Sequence, residues 1–228
     1  MCIRDRSQSA YRVEKTVTGA DMGLDRLSDP SDPLYISDDA PAKLSDAKDL
    51  FYDQDNDTFW VCDSGNNRIL RLDTDLKVTG CYTGFTGSTE ISVGEDGRST
   101  FLNPNGIYVK KSIFDDKLYV YIADTDNSRA VKCTVESGTE MTLVQEYTKP
   151  DTKLYDSETF NPSKILADKA ENIYVVCKSV NTGSVQFNKD GEFQGFYGAN
   201  RVEVTAAVVA QKLWRKIASN EQISAMTR

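Results

Sequence analysis

The sequence predicts an all-β protein assembled from repeated strand units, and three observations carry that prediction. The stretch Asp63-Ser64-Gly65-Asn66-Asn67-Arg68 returns as Asp124-Thr125-Asp126-Asn127-Ser128-Arg129. Each copy follows a run of apolar residues, Phe59 to Cys62 in one case and Leu118 to Ala123 in the other, and precedes a second alternating run; that is strand, polar turn, strand. Pro104 and Pro162 open successive units at equivalent places 58 residues apart, against roughly 40–50 residues for common four-stranded repeats.

Taken in order, Met1-Cys2-Ile3-Arg4-Asp5-Arg6 reads as neither a signal peptide nor a folded element, having no apolar core and no small-residue cleavage site. It looks like a translated sequencing-adapter scar, so residues 1–10 are expected to be disordered or artefactual, with the true amino terminus and any secretion signal missing. Tyr11 to Val17 alternates in period two and reads as a strand. Residues 20 to 42, rich in Asp, Pro and Ser, read as a polar loop in which no helix survives.

Three units of four strands follow. The first has strands near Asp49–Tyr52, Thr58–Cys62, Arg68–Leu72 and Val78–Phe85, the second near Gly106–Lys110, Lys117–Ala123, Ala130–Val135 and Thr142–Tyr147. The third has them near Lys164–Ala167, Asn172–Cys177, Ser184–Phe187 and Phe193–Tyr197. The extra length of the repeat sits in Gly87–Thr100 and Lys149–Thr159, expected to project as loops from one rim. In the third unit Lys178 to Gly183 has lost both the leading Asp and the Arg. From Thr205 the period changes: Ala206, Ala210, Leu213, Trp214 and Ile217 form one apolar helical face, and Ser219 to Gln222 is a capping-box pattern, so residues 201–228 read as a helical hairpin.

The Asp-x-x-Asn-x-Arg turn between two strands, in a unit opened by Pro104-Asn105-Gly106-Ile107, resembles the NHL repeat, a blade of a β-propeller. The resemblance covers about residues 11–200, is specific in the first two turns and weakens in the third. Complete propellers close about 4 to 8 blades into a ring, so three blades and a partial amino-terminal strand read as the amino-terminal part of a longer bacterial propeller. What the resemblance implies is a non-enzymatic binding module for a protein or small-molecule ligand, and an extracytoplasmic or cell-envelope location.

Composition narrows the alternatives. With 35 acidic against 27 basic residues and a net charge of −8, the averaged field repels phosphate backbones, and nucleic acid is not expected as a partner. No apolar run approaches the ~20 residues of a membrane-spanning helix, so no membrane insertion is expected. The chain has no histidine, which removes His-ligated zinc, Ser-His-Asp triads and Cys-His dyads. Five cysteines without a C-x-x-C spacing do not form a disulfide framework. Cys62 and Cys177 fall where Ala123 falls, just before the turn, and read as small buried packing residues at equivalent positions.

The candidate site residues are Asp63, Asn66, Arg68, Asp124, Asn127 and Arg129, which either bind a ligand or brace their turns; the brace is favoured, because Asp at a strand end commonly bonds its own following backbone amides, and each carboxylate is expected to accept N–H bonds within its own turn. No catalytic residue, cofactor or metal ligand is assigned. Calcium stays open through carboxylates, but Asp53-Gln54-Asp55-Asn56-Asp57 departs from a calcium loop at Thr58 and Ser64, where Gly and Glu are needed, and reads as a tight turn. A gluconolactonase-like metal-dependent hydrolase, with Asn66, Asn105 or Asn127 among its ligands, is the alternative from another class. A purely structural scaffold is the third.

Overall fold

The computed structural model describes residues 16–87, 98–155, 157–178, 180 and 183–198. The chain divides into two compact units, Met1–Tyr197 and Gly198–Arg228, and of the second only Gly198 is described. The expected helical hairpin, residues 1–10 and most of the expected strand Tyr11–Val17 lie outside the described residues; Thr16 and Val17 carry no strand.

The first unit is mostly β and holds three antiparallel meanders. Sheet 1 runs β1 (Asp49–Asp53), β2 (Thr58–Asp63), β3 (Arg68–Leu72) and β4 (Val78–Tyr82) in that spatial order. Two short strands, β5 (Gly84–Thr86) and β6 (Arg98–Thr100), lead into sheet 2, whose meander is β7 (Pro104–Lys111), β8 (Leu118–Asp124), β9 (Arg129–Val135) and β10 (Met141–Tyr147). Sheet 3 is β11 (Pro162–Ala167), β12 (Ile173–Cys177), β13 (Ser184–Phe187) and β14 (Phe193–Tyr197).

Two connections differ from the sequence expectation. The strand expected over Val78–Phe85 breaks at Thr83, and β5 crosses to the outer edge of sheet 2, where it pairs parallel with β10 and antiparallel with β6. Gly87–Thr100 is therefore not a plain loop, since its end supplies a strand. Residues 20–42 also hold helix after all: α1 (Gly19–Met22), started by a Thr18/Asp21 capping box, and a 3-10 helix over Leu24–Ser28. The high Asp, Pro and Ser content hides four apolar residues, Met22, Leu24, Leu27 and Leu34, that are buried against Val61, Leu70, Leu72, Val78 and Cys81 of sheet 1. Burial of each is worth about 1.5–3 kcal/mol, enough to override weak local propensity.

Period-two alternation gives each sheet two faces, here termed leading and trailing in chain order. The trailing face of sheet 1 (Phe51, Trp60, Cys62, Ile69, Tyr82) packs on the leading face of sheet 2 (Ile107, Val109, Val120, Ile122, Val131, Cys133). The trailing face of sheet 2 (Tyr121, Ala123, Ala130, Tyr147) packs in the same way on Ile165, Ala167, Ile173, Val175 and Val185 of sheet 3. Gly106 lets the first strands approach, because a Cβ there would lie 2.7 Å from Ser163 O and 2.8 Å from Lys164 Cα.

Strand pairing shows that the trailing face is a true repeat. Phe51 opposes Trp60, Tyr108 opposes Tyr121, and Leu166 opposes Tyr174. Trp60 opposes Arg71, Tyr121 opposes Lys132, and Tyr174 opposes Gln186. Ile69 opposes Tyr82, Ala130 opposes Tyr147, and Ser184 opposes Tyr197. Sheet 3 thus carries the same aromatic and apolar pattern, yet among the described residues nothing covers it: Leu166, Val176 and Tyr197 are 47%, 46% and 63% exposed.

The same register corrects the expectation for the cysteines. Ile107 pairs with Ile122 and Ile165 with Val175, so Ala123 corresponds to Val176, while Cys177 occupies the place of Asp124. Cys62, Ala123 and Cys177 are all buried, but only the first two are equivalent. Counting back from the turn misplaces Cys177 by one residue because the third turn has a different composition.

Candidate functional site

Both Asp-x-x-Asn-x-Arg motifs sit at the β2–β3 and β8–β9 turns, where the chain reverses through a left-handed residue, Asn67 (φ 53°) or Ser128 (φ 54°). In the first, the wholly buried Asp63 accepts hydrogen bonds through Oδ2 from Arg68 Nε at 2.7 Å and Asn66 Nδ2 at 2.9 Å. Its Oδ1 accepts the N–H of Ser45 at 2.7 Å. Arg68, 2% exposed, also donates to the carbonyls of Pro41 (2.8 Å) and Lys43 (3.3 Å), and Asn66 donates to Lys43 O at 2.9 Å.

The second turn repeats the three bonds to the aspartate. Asp124 accepts from Arg129 Nε and Asn127 Nδ2, both at 2.8 Å, and from Leu102 N–H at 2.8 Å. Arg129 donates to Ser99 Oγ at 2.8 Å and Thr100 O at 3.1 Å, and its guanidinium lies 4.7 Å from the centre of the Phe85 ring. Burial pushes the Asp124 carboxyl up from its ordinary value, against the pull of Leu102, Asn127 and Arg129. Contrary to the expectation of amides within the turn, the backbone donor comes from the segment leading into the first strand of the same sheet, because the buried carboxylate faces that segment instead of its own following amides. Each motif therefore ties the arrival of one strand to the reversal between two others.

The residues after each Asp add a link that the sequence reading missed. Ser64 Oγ donates to Pro104 O, and Thr125 Oγ donates to Pro162 O at 2.6 Å, so a hydroxyl of one sheet holds the first residue of the next. Thr125 Oγ also accepts from Asn105 Nδ2 at 2.6 Å. The available signal was a hydroxyl residue following both Asp residues, paired with a Pro opening each of the next two units.

A second inter-sheet contact is equally buried. Lys132 Nζ donates to Glu171 Oε2 at 2.9 Å and lies 3.8 Å from the centre of the Tyr119 ring. Burial pushes the Glu171 carboxyl up, and Ser112 and Lys132 outweigh it, so it ends below its ordinary value. No sequence signal marked this pair, because Lys132 and Glu171 are 39 residues apart.

Asp53 accepts from Asp55 N–H at 3.1 Å and Asn56 Nδ2 at 2.8 Å, so its carboxylate closes its own turn. Asn66 is used in the first brace and Asn127 in the second, and Asn105 donates to Thr125 of that second turn. Among the described residues no group of three or more His, Cys, Asp or Glu side chains is placed to hold a metal ion. The four described cysteines are free and buried, and burial pushes the Cys81 and Cys177 thiols up to about 12.

No family model matches the chain, and no curated protein matches it. Among solved structures it is similar to a streptogramin B lyase (16% identity, TM-score 0.42, 70% of this chain and 42% of that one). It is also similar to a candidate gluconolactonase (12% identity, TM-score 0.41, 69% and 50%). A third is a virginiamycin B lyase variant from Staphylococcus aureus (13% identity, TM-score 0.36, 69% and 56%). The chain spans between about two fifths and just over half the length of these proteins.

Proposed function

We propose that the chain is a rigid, non-enzymatic binding platform built from NHL-type propeller blades, with its Asp-x-x-Asn-x-Arg turns acting as structural braces. The observation that carries this reading is that Asp63, Asn66, Arg68 and their counterparts Asp124, Asn127 and Arg129 spend their polar atoms on one another and on nearby chain. Wholly buried carboxylates engaged in this way have little left to offer a ligand. The blade reading is supported by the repeated trailing face, whose sheet 3 copy has the composition of a surface that packs against another sheet.

The test is a titration with calcium, magnesium, manganese and zinc followed by thermal shift, with lactone hydrolysis measured alongside. The expected result is an unmoved melt and hydrolysis no faster than buffer. Metal-dependent lactone hydrolysis that disappears in Asp124→Ala or Asn105→Ala would overturn the proposal in favour of a gluconolactonase-like hydrolase.

A further inference from the structure

The β7–β8 turn of sheet 2 breaks the pattern of its counterparts. In sheets 1 and 3 the equivalent turns run through Gln54-Asp55-Asn56 and Lys169-Ala170-Glu171, whereas here the chain places Ile113 and Phe114 side by side, 71% and 66% exposed. The repeat thus acts as an internal control, since this kind of turn does not need large apolar residues. Their exposure is unfavourable by itself.

The turn is also firmly built. Ser112 is buried, its N–H donates to Lys117 O at 2.8 Å, and its Oγ accepts the Phe114 N–H at 3.1 Å. Asp115 accepts from Lys117 N–H at 3.2 Å and from the Tyr119 hydroxyl at 2.5 Å. Lys111 and Asp116 bridge the base of the turn at 2.8 Å. Two apolar side chains are therefore held out on a fixed backbone, which lowers the ordering cost of a contact and is how an interface anchor is presented.

The surroundings specify what would cover them. The antiparallel meanders bring the turns holding the exposed residues Asp55, Asp57, Asp115, Asp116, Glu136 and Glu140 to this same end, against the exposed lysines Lys111, Lys117 and Lys169, so acids outnumber lysines around the tip even with Asp116 paired to Lys111. Such a collar repels anionic lipid headgroups and favours cationic groups around the apolar contact. We infer that the Ile113–Phe114 tip is a docking point for a protein segment that presents an apolar surface rimmed by lysine or arginine. This rests on the platform reading, which the metal and lactone test addresses separately.

The experiment compares the wild-type chain with the Ile113→Ser/Phe114→Ser variant, using a synthetic leucine–lysine amphipathic helix as probe and fluorescence anisotropy as readout. The expected result is saturable binding that weakens with salt and falls roughly tenfold or more in the variant, with an unchanged melting temperature. Equal affinity for both proteins overturns the inference. So does tip-dependent binding to phosphatidylcholine or phosphatidylglycerol vesicles, which makes a membrane the occupant. Self-association of the wild type that the variant abolishes makes the occupant a second copy, and a lowered melt in the variant shows that the two side chains are packed rather than presented.

Discussion

Replacing Asp124 by alanine separates a brace from a binding site. The carboxylate is fully buried and accepts three hydrogen bonds, from Leu102 N–H, Asn127 and Arg129. Its removal leaves the half-buried Leu102 amide and a largely buried guanidinium without their acceptor. Breaking one side of a buried ion pair costs about 3–5 kcal/mol. Arg129 keeps Ser99 and Thr100 as acceptors and Phe85 beneath it, which places the expected loss near the lower end, about 3 kcal/mol. For a chain of this size that is a fall in Tm of roughly 6–12 °C. Urea melts of wild type, Asp124→Ala, Arg129→Met and the double variant should show the double variant losing less than the sum of the singles, as residues that act as a pair do. A change of Asp124→Ala below about 0.5 kcal/mol, the range of an ordinary surface substitution, would refute the brace.

Thr125→Val removes the hydroxyl that holds Pro162 and accepts from Asn105, and should cost about 1–3 kcal/mol in the same urea melts. Glu171→Gln should cost about 2 kcal/mol near pH 7, because Lys132 keeps an amide acceptor but loses its charge partner. Since the folded Glu171 carboxyl lies below its ordinary value of 4.5, its contribution is present above that pH and is lost as the pH falls through the folded value. The gap between wild type and Glu171→Gln should therefore close in melts below about pH 4.5. Peptide-resolved iodoacetamide labelling at about pH 8 should leave Cys62, Cys81, Cys133 and Cys177 unmodified until denaturant is added, because each is buried and its thiol is pushed up.

The fold was legible wherever one local rule operated alone. Period-two alternation located eleven of the twelve meander strands to within about two residues at their ends, because each is half-buried against a neighbouring sheet; the strand expected to run to Phe85 stops three residues earlier, at Tyr82. The errors fall where tertiary contact overrides local composition. Residues 20–42 look like a loop until sheet 1 offers an apolar face to Met22, Leu24, Leu27 and Leu34. The β5–β6 pair depends on the edge of sheet 2, about 55 residues away along the chain, a distance that periodicity cannot sense. The candidate turns were legible as motifs, since Asp, Asn and Arg recur at fixed spacing. The amides of Ser45 and Leu102 were not, because the residue supplying a backbone N–H leaves no mark in a sequence. Cys177 moved by one position for a related reason: register follows from pairing with β11, not from counting back from the turn.

The stacking of trailing on leading faces is tested most directly by hydroxyl-radical footprinting at the equivalent aromatic positions. Trp60, Tyr82, Tyr121 and Tyr147 are at most 1% exposed, whereas Tyr197, the counterpart of Tyr82 and Tyr147, is 63% exposed. Strong oxidation of Tyr197 is expected, with the other four protected until the protein unfolds. Oxidation of Tyr82 or Tyr147 at the rate of Tyr197 in the folded chain would contradict it, because the sheets would then not cover one another in this order.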